Sequence, residues 1–222
     1  MPIKSYVLRQ GRLTKAQAGA IDRHWHEFGI DYRDQVLGLD EIFGRYAPRV
    51  LDIGTGMGEA TLRLAQQYPD NDYLAVEVHR PGIGRLLYSM AERGLSNIRI
   101  INHDIVDVVN RQLPEESLTS VYIHFPDPWP KKRHHKRRLV QPSFINKLAT
   151  LMKTEGQLYL ATDAQDLAEF MLAVCDAAPG LINEAGRGNF SPRPLWRPLT
   201  KFEERAQRLN NQVWELIYCR RI

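Results

Sequence analysis

Four carboxylates and three glycines stand where a nucleoside site would need them. Each closes a short apolar run: Asp52, Gly54, Gly56 and Gly58 in "RVLDIGTGMGEA", Glu77 in "DYLAVEV", Asp104 after "IRIINH", and Asp127 in "TSVYIHFPDPWP". Alternate glycines on a strand-to-helix turn let backbone approach a ligand, and the helix start behind them offers free N–H groups. A carboxylate one strand over, about 20 residues on, is placed to accept hydrogen bonds from ribose hydroxyls. Asp104 has two uses by position, as acceptor for an adenine amino group or as N-cap of the helix that follows. Glu59 stands where a dinucleotide fingerprint carries its third glycine, and it would face a pyrophosphate there. The loop therefore suits a nucleoside without phosphates, and the three strand ends together fit S-adenosylmethionine.

The segment "FPDPWPKKRHHKRR" (125–138) adds a second kind of chemistry. Pro126, Pro128 and Pro130 fix φ and delete three backbone donors, and they bias Phe125, Asp127 and Trp129 towards extended backbone. A stiff projection results, with Asp127 and Trp129 held beside the nucleoside site. A turn residue and a core anchor are the plainer uses of these two; the strand-end position favours function. Lys131, Lys132, Arg133, Lys136, Arg137 and Arg138 follow without an acid, and Lys4, Arg9, Arg12 and Lys15 stand without an acid among the first fifteen residues. With a chain total of +4, the remainder sums to −6. An acidic body with two basic segments predicts a localised polyanion site, and neutralising four to six phosphates predicts a log–log salt slope of roughly −3 to −5.

The elements that must position these residues are legible from periodicity. Strands are expected at 49–53, 72–78, 98–101, 119–125, 157–162 and 213–219, separated by amphipathic helices. In one helix Ile83, Leu86, Leu87, Met90 and Ala91 share a face between Pro81 and Gly94. Such alternation predicts an α/β fold, a mostly parallel doubly wound sheet covered on both faces, with ligands at the carboxyl ends of its strands. Residues 1–45 read as a basic arm with helical pieces and no clear strand, and 46–222 as the main domain.

Composition narrows the class. Of 222 residues 43% are hydrophobic, enough for one core, and no run reaches the roughly 18 apolar residues of a membrane span. The start "MPIKSYVLRQ" lacks an apolar signal region. Cys175 and Cys219 have neither metal-ligand spacing nor disulfide density, so a cytoplasmic setting is expected. His24 and His26 flank Trp25 without a third ligand, and no metal is expected.

These motifs resemble those of the bacterial tRNA (guanine-N7)-methyltransferase family: D-I-G-x-G-M-G, V-E-V-H, H-D, F-P-D-P-W-P-K-K-R-H-x-K-R-R, A-T-D and R-P-x-T-K-F-E occur in that order, and the arm's "VLRQGRLT" extends the likeness over nearly the whole chain. The resemblance implies a Rossmann-like class I S-adenosylmethionine-dependent methyltransferase that forms N7-methylguanine at position 46 of the tRNA variable loop, without an obligatory protein partner, as monomer or homodimer. It implies that Asp52, Glu77 and Asp104 bind the donor, that Asp127 is catalytic, and that Lys131, Asp163, Thr200, Lys201, Phe202 and Glu203 meet the substrate. By spacing alone, Thr200 and Glu203 form a capping box, and Asp163 could cap a helix. The chain departs from the family pattern at Asp52 (usually Glu), Ala164 (often Trp), Ala206 (usually Gly) and Asn210–Asn211. Those departures leave two alternatives: a related RNA methyltransferase with another target, and an RNA-binding protein without the chemistry.

Overall fold

The computed structural model describes residues 4–7 and 11–221, excepting the side chains of Lys201 and Phe202. In chain order the elements are α1 (Lys15–Phe28), β1 (Gly29–Ile30), α2 (Leu39–Phe43), β2 (Arg49–Ile53), α3 (Glu59–Gln67), β3 (Asp72–Val76), α4 (Arg80–Arg93), β4 (Ile98–Ile101), α5 (Ile105–Arg111), β5 (Leu118–His124), a 3₁₀ turn (Lys132–Arg137), α6 (Pro142–Leu151), β6 (Met152–Thr162), α7 (Gln165–Asp176), β7 (Leu181–Asn183), α8 (Lys201–Arg208) and β8 (Trp214–Arg220). They build one eight-stranded sheet in the order β1-β4-β3-β2-β5-β6-β8-β7. All pairings up to β6 are parallel, and β8 runs antiparallel to both neighbours.

Strand alternation sends side chains to two cores. Leu51, Ile53, Leu74 and Val76 face α5, α6 and α7 through Val108, Ile145, Leu148, Leu167 and Met171. Val50, Tyr73 and Ala75 face α1, α3 and α4 through Ala20, Leu62, Leu86, Leu87 and Met90. A strand covered on both sides buries every position, and all five residues of β2 and of β3 are buried, the charged Arg49 and Asp72 as an ion pair at 2.8 Å. Among the described residues no helix is long and apolar enough to cross a membrane.

Several expectations shift. The segment 1–45 does contain a strand: β1 pairs Gly29 with Ile100 and Ile30 with Ile101, a two-residue pairing too short to leave a periodic signal. Thr14 and Gln17 close a reciprocal capping box that starts α1. β6 begins five residues earlier than expected, because the chain passes through a left-handed Glu155 (φ 66°) and resumes pairing after a register shift. β7 carried no alternating signal; its burial runs buried, exposed, buried over three residues.

The sheet order reverses between β2 and β5, the position at which open α/β sheets bind ligands. Here α4 packs directly on the glycine loop: a Cβ on Gly82 would lie 2.0 Å from Gly56 O, a backbone atom that cannot step aside. Gly82→Ala is therefore expected to cost about 1–3 kcal/mol by overpacking, read as a drop of roughly 3–10 °C in the melting midpoint. A wild-type melting curve would contradict this contact.

Candidate active site

The loop after β2 is built for close approach. Gly54, Gly56 and Gly58 have φ of 73°, 58° and 78°, the left-handed region that side chains avoid. A Cβ on Gly54 or Gly56 would meet nothing within 4 Å, so open space lies before both residues. Gly58 faces the other way: a Cβ there would lie 2.7 Å from Leu86 Cδ1 of α4. Glu59 does not point at the loop mouth. Its carboxylate turns sideways to Arg63 and Arg93, which hold it below the usual glutamate range against the opposing effect of burial.

Glu77 ties the loop to the end of β3. Its Oε2 accepts from Gly56 N at 2.7 Å, and Oε1 accepts from Val78 N and His79 N at 2.8 Å each. One lone pair of Oε2 remains for a hydroxyl. Asp104 serves the second of its two expected uses at once: Oδ1 caps α5 by accepting from Val106 N at 3.1 Å. Its Oδ2 takes Lys4 Nζ at 2.8 Å, a contact across 100 residues that local sequence could not announce.

Asp52 sits beneath the loop rather than before it. It is buried, and Thr61 Oγ1 of α3 donates to its Oδ2 at 2.6 Å. Burial pushes this carboxyl up to about 6, opposed by the Thr61 hydrogen bond and assisted by the charge of Glu77. Asp52 thus pins α3 to β2 and fixes the loop between them. Thr61 was not singled out from sequence; only its place nine residues on, on the inward face of the helix, gave a hint.

The proline turn after β5 is stiff, but not extended throughout. Phe125 and Trp129 have φ of 51° and 45°, against the expected extended geometry. Tertiary contacts impose this: Phe125 N donates to Ala161 O at 2.7 Å, continuing the pairing with β6, and Arg138 Nε donates to Pro128 O at 3.2 Å. Asp127 is exposed at the tip and takes no hydrogen bond or ion pair from the described residues. His124, which ends β5, is driven down to about 3 by burial and then by the charge of Arg197, so its imidazole is neutral at pH 7.

The cationic run divides in two. Lys131, Lys132, Arg133 and Lys136 are exposed. Arg138 is 2% exposed and spends its guanidinium on Pro128 O, His135 and Asp166. Arg137 donates to backbone carbonyls of the arm and stacks on Trp129 at 3.8 Å from the ring centroid. Four cations of the expected four to six are therefore free to face a polyanion. Of the arm's cations, Arg12 and Lys15 are exposed, and Arg9 lies outside the described residues.

The remaining substrate-side candidates separate as well. Asp163 is half-buried beside the end of β6 and caps nothing; Thr162 Oγ1 takes Ala164 N instead. Thr200 caps α8 by accepting from Glu203 N at 3.2 Å. The reciprocal half of that capping box is missing, because Glu203 is buried against Arg193 at 2.6 Å and Arg197 at 2.8 Å. Lys201 and Phe202 open α8, and their side chains lie outside the described residues.

An open cradle before Gly54 and Gly56, with the Glu77 carboxylate, which keeps a spare lone pair, and the Asp104 carboxylate on adjacent strand ends, fits S-adenosylmethionine. With the strand order and the antiparallel β8, they define a Rossmann-like class I S-adenosylmethionine-dependent methyltransferase. The same fold recurs in solved structures: the 16S rRNA methyltransferase KamB (TM-score 0.59, 15% identity, 85% of this chain and 95% of that one) and the aminoglycoside resistance methyltransferase NpmB1 (0.57, 20%, 84% and 95%). Residues 46–216 match the family model described as "Putative methyltransferase". Proteins named tRNA (guanine-N(7)-)-methyltransferase from Hydrogenovibrio crunogenus and Nitrosospira multiformis are 48% and 51% identical, each over 98% of this chain and over 91% and 94% of their own lengths. The chain belongs to the tRNA (guanine-N7-)-methyltransferase family.

The raised Asp52 carboxyl has a measurable consequence. The unfolded chain ionises Asp near 3.9 and the folded one about 6, so the folded state holds the extra proton in between. This contribution to stability is full below about pH 4 and is lost as pH rises through 6. Asp52→Asn should remove that segment: the unfolding free energy of wild type relative to the variant, taken from melting curves, should fall between about pH 4 and 6.5 by an amount on the order of 2 kcal/mol. A difference independent of pH would refute the assignment.

Proposed function

We propose that the protein transfers the methyl group of S-adenosylmethionine to N7 of guanine at position 46 in the variable loop of cytoplasmic tRNA. The observation that carries this reading is Asp127: an unpaired, exposed carboxylate on a turn that Arg138 fixes beside the β2–β5 crevice. Near-half identity over full length to relatives so named supports the substrate.

When bound, the donor supplies an electrophilic methyl on a sulfonium. Guanine N7 has an in-plane lone pair and no proton at neutral pH, so no general base is required. What the chain must provide is placement, which converts a bimolecular encounter into an oriented one. The glycine loop supports the donor's backbone-facing side, Asp52 and Thr61 set that loop from below, Glu77 accepts from the ribose hydroxyls and Asp104 from the adenine amino group. Asp127 grips the guanine through its N1–H and exocyclic amine, and its negative charge favours the positive charge that builds on the purine as the methyl moves. Trp129, Asp163 and the Thr200–Glu203 start of α8 border the same edge. Glu203 acts there through its ion pairs, by seating the helix whose N-terminus carries Thr200. Lys131, Lys132, Arg133 and Lys136 meet tRNA phosphates, which is how folded RNA is held by shape and charge.

Incubation with labelled S-adenosylmethionine and unmodified tRNA, followed by mapping of the modified base, should place the label on N7 of guanine 46. Label on another base or atom would redirect the substrate assignment. Asp127→Ala should reduce the methylation rate by about 10²–10³-fold while donor affinity stays within about twofold; loss of donor affinity instead would overturn the role. With four free cations, the log–log salt slope of tRNA binding should lie near −3, and become much shallower when all four are replaced by glutamine. An unchanged slope in that variant would remove the 131–136 segment from the RNA interface.

A further inference from the structure

The first described residues of the arm do not run into solvent. Ser5 O accepts from Trp129 Nε1 at 3.0 Å, and Arg137 donates to Lys4 O at 3.0 Å and to Tyr6 O at 3.1 Å. Three consecutive carbonyls of the arm are thus held by two side chains of the 125–138 segment. The same short stretch sends Lys4 Nζ onto Asp104 Oδ2. Asp104 is 6% exposed and its other oxygen is committed to the cap of α5. Lys4 therefore takes the open approach to this carboxylate.

We propose that residues 4–6 form a strap that stands in for both ligands of the site. Lys4 occupies the carboxylate oxygen that the adenine amino group requires, and the strap's carbonyls occupy the indole N–H and guanidinium donors that an RNA acceptor would otherwise engage. The proposal rests on the reading of Asp104 as the adenine acceptor. Its chemistry is substitution of like for like: an ammonium for an amino donor, and amide oxygens for phosphate or base oxygens. Donor binding displaces Lys4, which weakens the strap and frees Trp129 and Arg137 beside Asp127. Donor and RNA binding are then coupled positively, and the coupling is reciprocal. Lys4, released from Asp104, becomes available to the same polyanion.

Calorimetric titration of the full chain with S-adenosylmethionine and with S-adenosylhomocysteine tests this. Removing a partly exposed ion pair that competes with the ligand should make Lys4→Met bind about three- to fivefold more tightly. Raising salt from about 50 to 300 mM should tighten donor binding to wild type, by screening the competitor, and leave Lys4→Met unaffected. In parallel, the Trp129 indole N–H resonance, assigned with Trp129→Phe, should shift when donor saturates the wild type, and Lys4→Met without donor should already lie towards that position. Equal or weaker donor binding by Lys4→Met, or an indole resonance unmoved by donor, would overturn the strap. Asp104→Asn in the Lys4→Met background, which has no competitor left to lose, separates the two readings. Donor affinity equal to that of Lys4→Met would sink the adenine assignment itself, whereas a loss of about tenfold or more there, with no gain in Lys4→Met over wild type, would sink the strap alone.

Discussion

The structure of the active edge depends on one buried guanidinium. Three prolines in six residues delete three backbone donors from the turn after β5, so that turn has carbonyls to satisfy and few N–H groups of its own to satisfy them. Arg138 supplies the missing donor to Pro128 O from a position that is 2% exposed, and it is itself neutralised by Asp166 at the start of α7. Arg138 draws the Asp166 carboxyl below the ordinary aspartate range. The turn is thereby referred to β5 at one end, through Phe125 and Ala161, and to α7 at the other. Two non-glycine residues in left-handed backbone persist because these contacts over-determine them. A loose loop could not hold a carboxylate at a fixed height over the crevice.

The same logic governs the far side of the site. Arg197, Glu203 and Glu215 are buried together, with Arg197 bridging Glu203 at 2.8 Å and Glu215 at 2.5 Å, and Arg193 closing on Glu203 from outside. Burial pushes Glu215 up in spite of Arg197. Such a network gains little net stability over an apolar packing, since desolvation offsets most of the attraction. What it does is geometric: it fastens the loop before α8, and α8 itself, to β8. Removing Arg197 would leave Glu215 buried without its cation, while Glu203 would keep Arg193.

Much of this was legible in the sequence, and the failures have physical causes. Six strands and their order of appearance follow from apolar runs that alternate with helical periodicity, because a sheet covered on both faces keeps these strands mostly apolar. The strand-end positions of the glycine loop, Glu77 and Asp104 follow from the same runs. β1 and β7 were missed because two or three residues cannot display a period. Arg137 and Arg138 looked like two more cations of a solvated run, and Glu203 like a surface capping residue. For the two arginines the deciding partners are remote in sequence, Lys4 and Tyr6 for one and Asp166 for the other, and for Glu203 they are Arg193 and Arg197 in the irregular segment before α8. Charge composition is local information, but whether a charge is spent is not.

Asp52 shows how a substitution that looks damaging can be absorbed. A carboxylate one methylene shorter than the glutamate expected from the family reaches less far towards a ligand. In this chain it meets Thr61 Oγ1 at 2.6 Å instead, inside the layer formed by β2 and α3. Its desolvation is costly, as its raised ionisation shows, and that cost is tolerable only because a hydroxyl donor is present. The groups that do reach the open side are those of the glycine loop and the Glu77 carboxylate that organises it. The loop's shape, set from below by Asp52 and from the side by Glu77, is the property a residue at position 52 must preserve. Side-chain reach is secondary to it.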